Sequence, residues 1–199
     1  MLNELFVFIF ENIKKSCATE LETINQLYPF EPITYETGTK NLILKYPEAI
    51  SMLREAGVKI GDFDDLGTQD EKLLGKLVKQ KYNTDFYMLE RYPLGARPFY
   101  TMPCPDDKNY SNSYDLFLRG EEIASGAQRV HNANFLLDQA TAKKVDLKPL
   151  QAYVDCFKYG AWPHGGAGIG LERVTMLYLG IGNVRKVSMF PRDPNRLTP

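Results

Sequence analysis

Apolar residues fall at Leu2, Leu5, Phe6, Ile9, Phe10, Ile13, Cys17, Leu21, Ile24 and Leu27. Steps of three and four dominate, which predicts one helix over 2–27, ended by Pro29 and Pro32. Residues 41–46 read as a short strand. Pro47 suits the first turn of a second helix, and Ala56-Gly57 suits its end. Thr68 and Glu71, three apart, precede Leu73, Leu74, Leu77 and Val78, which predicts a capping box opening a third helix. Strand-like runs follow at 86–89, 99–102, 113–118 and 122–130. Helices are predicted over 135–144 and 149–157, an extended glycine-rich segment over 167–170, and a helix over 171–179 stopped by Gly180. Helices, then successive strands with short joints, then helices again predict an α+β domain with an antiparallel sheet flanked by helices.

Arg119-Gly120 reads as a hairpin turn. With those two residues as the loop, Leu118 pairs with Glu121, Phe117 with Glu122, and Asp115 with Ala124. Alternation then places Asp115 and Glu122 on one face of neighbouring strands. Two carboxylates so placed repel unless a cation or donors lie between them, and a divalent metal bound to phosphates would serve. Arg129 lies an odd number of residues from Glu122, so it shares that face only if a bulge intervenes; Ser125-Gly126 could host one. An arginine there could grip a carboxylate through two parallel hydrogen bonds.

The stretch 164–180 carries Gly165, Gly166, Gly168 and Gly170. Small residues let a flat ligand lie against backbone, and Arg173 follows in the first turn of a helix, where free N–H groups already favour an anion. The spacing is not that of a phosphate-binding loop ending in Gly-Lys, and tight packing of strand on helix explains the glycines equally well. His164 could polarise a ligand near them or serve structure alone. Trp162, Tyr100 and Phe99 read as core.

Composition narrows the possibilities. The 199 residues are 44% hydrophobic and 25% charged, ordinary for a globular domain. With 24 basic and 25 acidic residues the net charge is −1, so no general attraction to a polyanion exists. Cys17, Cys104 and Cys156 form no CxxC pair, which makes a structural zinc site a poor expectation. The N-terminus has no basic leader or small-residue cleavage site, and its apolar run, 5–10, is far shorter than the roughly 20 residues a span needs. The expectation is a soluble intracellular protein with no membrane partner. The two histidines, His131 and His164, allow no nucleophile–histidine triad to be assigned.

Taken together, EKLLGKLVKQKYNTDFY, RPFYTMP, SNSYD, RGEEIASGAQRVH and the segment from HGGAGIGLERV to RDPNRLTP resemble the catalytic domain of class II aminoacyl-tRNA synthetases. Within that class they are most similar to the aspartyl branch of eukaryotic and archaeal type. GIGLERV resembles motif 3, at about 164–180, and SGAQR followed by VH separates the aspartyl branch from its asparaginyl and lysyl relatives. The resemblance implies the class II catalytic-core fold. It implies ATP as substrate with Mg2+, L-aspartate and tRNA as further partners, a homodimeric parent and a cytoplasmic setting. It places ATP on Glu122, Gly170, Leu171, Glu172 and Arg173, with Arg173 on the γ-phosphate. It places the metal on Glu122, with Ser125 and Asp115 completing the surroundings, and aspartate on Ser125 and Arg129. It makes Glu122 and Arg173 the catalytic pair.

The family's anticodon-binding barrel, motif 1 and the motif 2 FRxE arginine have no counterpart here. Residues 1–199 are therefore expected to be the C-terminal portion of a catalytic domain, inactive by itself. A truncated, non-catalytic paralogue acting as a binding or regulatory module is the alternative, and asparagine-directed chemistry on the same scaffold is a third reading.

Overall fold

The computed structural model describes residues 1–37 and 41–198. Pro199, the last residue of the RDPNRLTP stretch, lies outside them. Two helices open the chain, α1 (Leu2–Ser16) and α2 (Ala18–Leu27). The single helix expected over 2–27 is thus divided at Cys17, whose φ of −122° leaves the helical region. The Ser16 hydroxyl donates to the Asn12 carbonyl at 2.7 Å, a local bond that competes with the helix ladder just where it ends. Next come β1 (Ile43–Lys45), α3 (Tyr46–Glu55) and α4 (Thr68–Tyr82). The Glu48 carboxylate accepts the Lys45 amide at 3.0 Å and fixes the start of α3.

The capping box expected at Thr68 is not formed. Gly67 occupies the cap position and no side chain caps the helix. Thr68 is already helical, which leaves Glu71 free to serve elsewhere. Strands β2 (Phe86–Glu90), β3 (Ser113–Leu118) and β4 (Glu121–Arg129) follow. After them come α5 (Ala133–Ala142), α6 (Gln151–Lys158), β5 (His164–Ile169) and α7 (Leu171–Tyr178). A 3₁₀ turn over Lys148–Leu150 precedes α6, so the α-helix starts two residues later than Pro149 suggests. The run 99–102 is no strand; it is irregular chain touching the sheet through one bridge, Thr101 to Arg129. Proline at 98 and at 103 brackets it and withholds the donors a ladder needs.

The sheet runs β1-β2-β3-β4-β5. Three of its pairings are antiparallel, as expected, but β1 lies parallel to β2, because α3 and α4 supply the crossover a parallel pair requires. One face carries α3 and α4 over a core that includes Tyr46, Leu53, Leu74, Tyr87, Leu89 and Phe117. The opposite face carries α1 and α7 over Phe6, Phe10, Phe86, Leu116, Ile123 and Val174. At the far end, α5 and α6 enclose Val130, Leu136, Val154 and Phe157, and Phe99 and Tyr100 pack against this third cluster. Trp162, read as core, is instead 85% exposed on the loop after α6. No helix among the described residues is long and apolar enough to cross a membrane.

Candidate functional site

The hairpin turn is as the sequence suggests. Arg119 and Gly120 both take positive φ, 52° and 77°, as a two-residue hairpin loop with right-handed twist demands. Leu118 pairs with Glu121 and Phe117 with Glu122, but Leu116 then pairs with Ala124 and Asp115 with Ser125. The extra residue sits at Ile123, not at Ser125-Gly126, and Asp115 faces Ser125 where a regular ladder would give Ala124. Ile123 and Ala124 are both buried in the core beneath α1 and α7. Burying two consecutive apolar residues on one side forces the bulge. Beyond it the alternation is reset, so Glu122, Ser125 and Arg129 all share the face of Asp115 and Phe117.

On that face Asp115 is only 4% exposed and makes an ion pair with Arg97, Nη2 to Oδ2 at 2.7 Å. Arg97 Nη1 also donates to the Ser125 hydroxyl at 3.2 Å, and the guanidinium lies 3.8 Å from the ring centre of Tyr92. Asp115 Oδ1 is buried without a hydrogen-bond partner. Sequence reading missed Arg97. It lies in the irregular stretch between β2 and β3, where no periodicity marks a side chain's direction.

Glu71 of α4 joins this group. Burial, the Glu122 and Asp115 charges push its carboxyl up to about 7, relieved in part by Arg173. Glu122 is also raised, by burial and Asp115, with Arg173 and Arg97 acting the other way. Burial acts first in both shifts and mutual repulsion of the carboxylates second, and a bound cation would relieve the repulsion. It follows that Glu71→Gln should stabilise the chain at high pH. The folded carboxyl titrates near 7 and an unfolded one near 4.5, so the native state favours the neutral form. The wild type therefore loses stability relative to the variant as pH rises from about 4.5 through 7. Because the group is half-buried, the gain at pH 8 is on the order of 1 kcal/mol, after allowance for solvent screening. Urea unfolding at pH 8 and pH 4.5, without divalent cations, measures the difference; equal midpoint shifts at both values would contradict it.

Arg129 pairs across to His164 on β5, and its guanidinium lies against Gly166, where an added Cβ would fall 3.1 Å from Nη2. Its Cζ is 5.5 Å from the Tyr100 ring centre. Among the described residues no carboxylate pairs with it. His164 itself stacks on Phe157 at 5.5 Å and contacts the Trp162 carbonyl through Nδ1 at 3.2 Å. At the start of α7, the Gly170 amide donates to Ile123 O at 3.0 Å, tying the helix to the bulge. Leu171 and Glu172 are exposed. Arg173 Nη1 donates to the Glu122 carbonyl at 2.8 Å, so the motif's arginine stands beside Glu122 rather than apart from it. Asp115, Ser125 and Arg97 thus form one group, and Glu122 stands beside Arg173 and Glu71; Arg129 shares their face of the sheet but lies at the other end of β4, opposite His164, and Gly170, Leu171 and Glu172 open α7 beside Arg173. No group of three or more histidine, cysteine or acidic residues among the described residues is placed to hold a metal by itself.

The sequence model for tRNA synthetases of class II (D, K and N) matches residues 1–194. The chain belongs to this family. The synthetase domain is 57% identical over 196 residues to the cytoplasmic aspartate–tRNA ligase of Homo sapiens, covering 98% of this chain and 39% of that one. It is 51% identical over 199 residues to aspartate–tRNA ligase 2 of Arabidopsis thaliana, 100% of this chain and 35% of the relative. Among solved structures, the aspartyl-tRNA synthetase from Entamoeba histolytica superimposes with a TM-score of 0.94 at 56% identity, covering 100% of this chain and 40% of that one. Asparaginyl-tRNA synthetase from Pyrococcus horikoshii with asparaginyl-adenylate gives 0.82 at 27% identity, covering 98% and 44%. This class II synthetase chain therefore spans well under half the length of the relatives it matches.

Proposed function

We propose that this chain is the C-terminal part of the catalytic domain of an aspartate–tRNA ligase. The parent activates L-aspartate with ATP and transfers it to tRNA. The observation that carries the reading is Arg129, a partly buried guanidinium without an acidic partner among the described residues, on the same face as Ser125 and Glu122. An arginine held against glycine backbone and left unpaired is built to receive a carboxylate from outside. The identity to aspartate–tRNA ligases supports the choice of acid.

In this reading Arg129 clamps the side-chain carboxylate of aspartate. Ser125 accepts from Arg97, which leaves its own O–H free to donate to the same substrate. Arg173 meets the γ-phosphate, and Gly170, Leu171 and Glu172 line the nucleotide. Magnesium fits the residues present: Glu122 is half-buried among other acids, and Asp115 Oδ1 is a buried oxygen without a partner. Those two carboxylates would hold it, with Ser125 beside them. When bound it supplies charge neutralisation for the phosphates. An aspartate α-carboxylate oxygen attacks the α-phosphorus, the bond to the β-phosphate breaks, and aspartyl-adenylate and pyrophosphate form. A terminal ribose hydroxyl of tRNA then attacks the acyl carbon and AMP leaves. No side-chain nucleophile enters, so the catalysis is positioning and charge stabilisation. A homodimeric, cytoplasmic parent completes the proposal, the setting being supported by the cytoplasmic relatives.

Aspartate-dependent exchange of pyrophosphate into ATP by the full-length parent tests it. Exchange with aspartate and none with asparagine is expected. Exchange with asparagine alone would overturn the choice of substrate, and none with either would favour the non-catalytic paralogue.

A further inference from the structure

The turn that carries Arg97 has no strand to hold it. Leu94–Ala96 form a single 3₁₀ turn between β2 and β3. Its Leu94 amide donates to Asn109 O at 2.8 Å, and the remaining ties come from α5. Lys143, at the C-terminal cap of α5, donates through Nζ to Leu94 O at 3.2 Å, to Gly95 O at 3.1 Å and to Arg97 O. An ammonium has three protons, and here each finds a backbone carbonyl on the same turn. One turn earlier in α5, Gln139 Nε2 reaches Thr101 O at 3.4 Å. Helix α5 therefore reads the backbone of residues 94–101, the segment that delivers Arg97 to Asp115 and Ser125.

We propose that Lys143 is a positioning residue for substrate aspartate, acting through Arg97; this rests on the function proposed above. Arg97 occupies Asp115 Oδ2 and donates to the Ser125 hydroxyl, whose own proton is then left for another acceptor. Its guanidinium stands at the end of a long side chain, so a small shift of the turn is magnified at Ser125. Positioning errors of about 1 Å are enough to lower turnover on the order of a hundredfold. Charge-assisted bonds to three carbonyls at once make Lys143 a restraint on that turn from outside it.

The test is aspartate-dependent ATP–pyrophosphate exchange by the full-length parent, with KM measured separately for aspartate and ATP. Lys143→Met keeps the aliphatic stem and removes the donors. It should raise the aspartate KM about five- to twentyfold while the ATP KM stays within about twofold. Lys143→Arg, which retains several donors, should restore most of the affinity. In an Arg97→Lys background, Lys143→Met should have little further effect on the aspartate KM, because residues acting through one group are not additive. A merely structural lysine would instead lower thermal stability and change both KM values alike. Unchanged aspartate KM, equal changes in the two KM values, or additivity with Arg97→Lys would each overturn the proposal. Should Lys143→Met not fold, Lys143→Gln, shorter and with two donors for three carbonyls, should show the same aspartate-selective rise in smaller measure, and its absence would overturn the proposal equally. Failure of the underlying function is separately visible, as wild-type parent without aspartate-dependent exchange, and it would take this proposal down as well.

Discussion

Lysine in place of Arg129 should lower kcat/KM for aspartate by about a hundredfold or more in the full-length parent, with the ATP KM changed by less than about threefold. The charge survives the change, and the geometry does not. Arg129 rests against the Gly166 backbone and beside the Tyr100 ring, so its planar fork is held at one angle before any ligand arrives. Two parallel charge-assisted hydrogen bonds to a carboxylate are worth roughly 3 kcal/mol together, about two powers of ten in binding. A lysine ammonium can offer one such bond and must order a flexible stem to do it. The contrast with Arg97 sharpens the argument. That guanidinium is already engaged by Asp115 and Ser125, so it is part of the wall, whereas Arg129 is the group left for the ligand. Pyrophosphate exchange at varied aspartate and at varied ATP measures both constants. A variant with unchanged aspartate dependence would remove Arg129 from the site.

The parts of this site that could be read from sequence are those where local chemistry and alternation agree. The turn at Arg119-Gly120 needs positive φ at both positions and a glycine at one, and the strands either side follow from it. That Asp115 and Glu122 share a face follows in turn. The bulge is a nearer miss. Its presence could be inferred from the parity of Glu122 and Arg129, but its place depends on which apolar pair the far core buries. Ile123-Ala124, two adjacent apolar residues in an otherwise alternating strand, was the available signal. The break at Cys17 had no such mark, since neither proline nor glycine stands there. Glu71 was misread because Thr-x-x-Glu fits a capping box, while the carboxylate faces the acidic pocket. Arg97 and Lys143 were out of reach. Arg97 meets side chains 18 and 28 residues further on, Lys143 reaches carbonyls 46 to 49 residues back, and no period in the chain encodes such meetings.

Gly75→Ala should destabilise the domain by about 2–3 kcal/mol, and the sign is the informative part. Gly75 lies in the interior of α4, where alanine is ordinarily better than glycine by about 1 kcal/mol. Helix propensity alone therefore predicts a more stable protein. Packing says otherwise. A Cβ at Gly75 would stand 2.3 Å from Gly120 Cα and 2.8 Å from Gly120 N, backbone atoms that no rotamer change can move aside. Gly120 cannot yield by itself, because it holds φ at +77° in the hairpin turn, and its own Cβ position is hemmed in by Lys72 and the Glu71 carbonyl. The two glycines let helix and hairpin touch backbone to backbone, and that contact sets how far Glu71 stands from Glu122. Relief of the clash requires α4 and the β3–β4 turn to separate, which opens the core around Leu74 and Phe117 and spreads the acidic pocket. For a chain of this length the loss corresponds to a fall in Tm of about 5–10 °C. Calorimetry of Gly75→Ala and Gly120→Ala, singly and together, measures it. The double variant should lose less than the sum of the two, since one separation relieves both contacts. A Tm equal to or above that of the wild type for Gly75→Ala would show that the contact is loose, and with it the fixed spacing of Glu71 and Glu122.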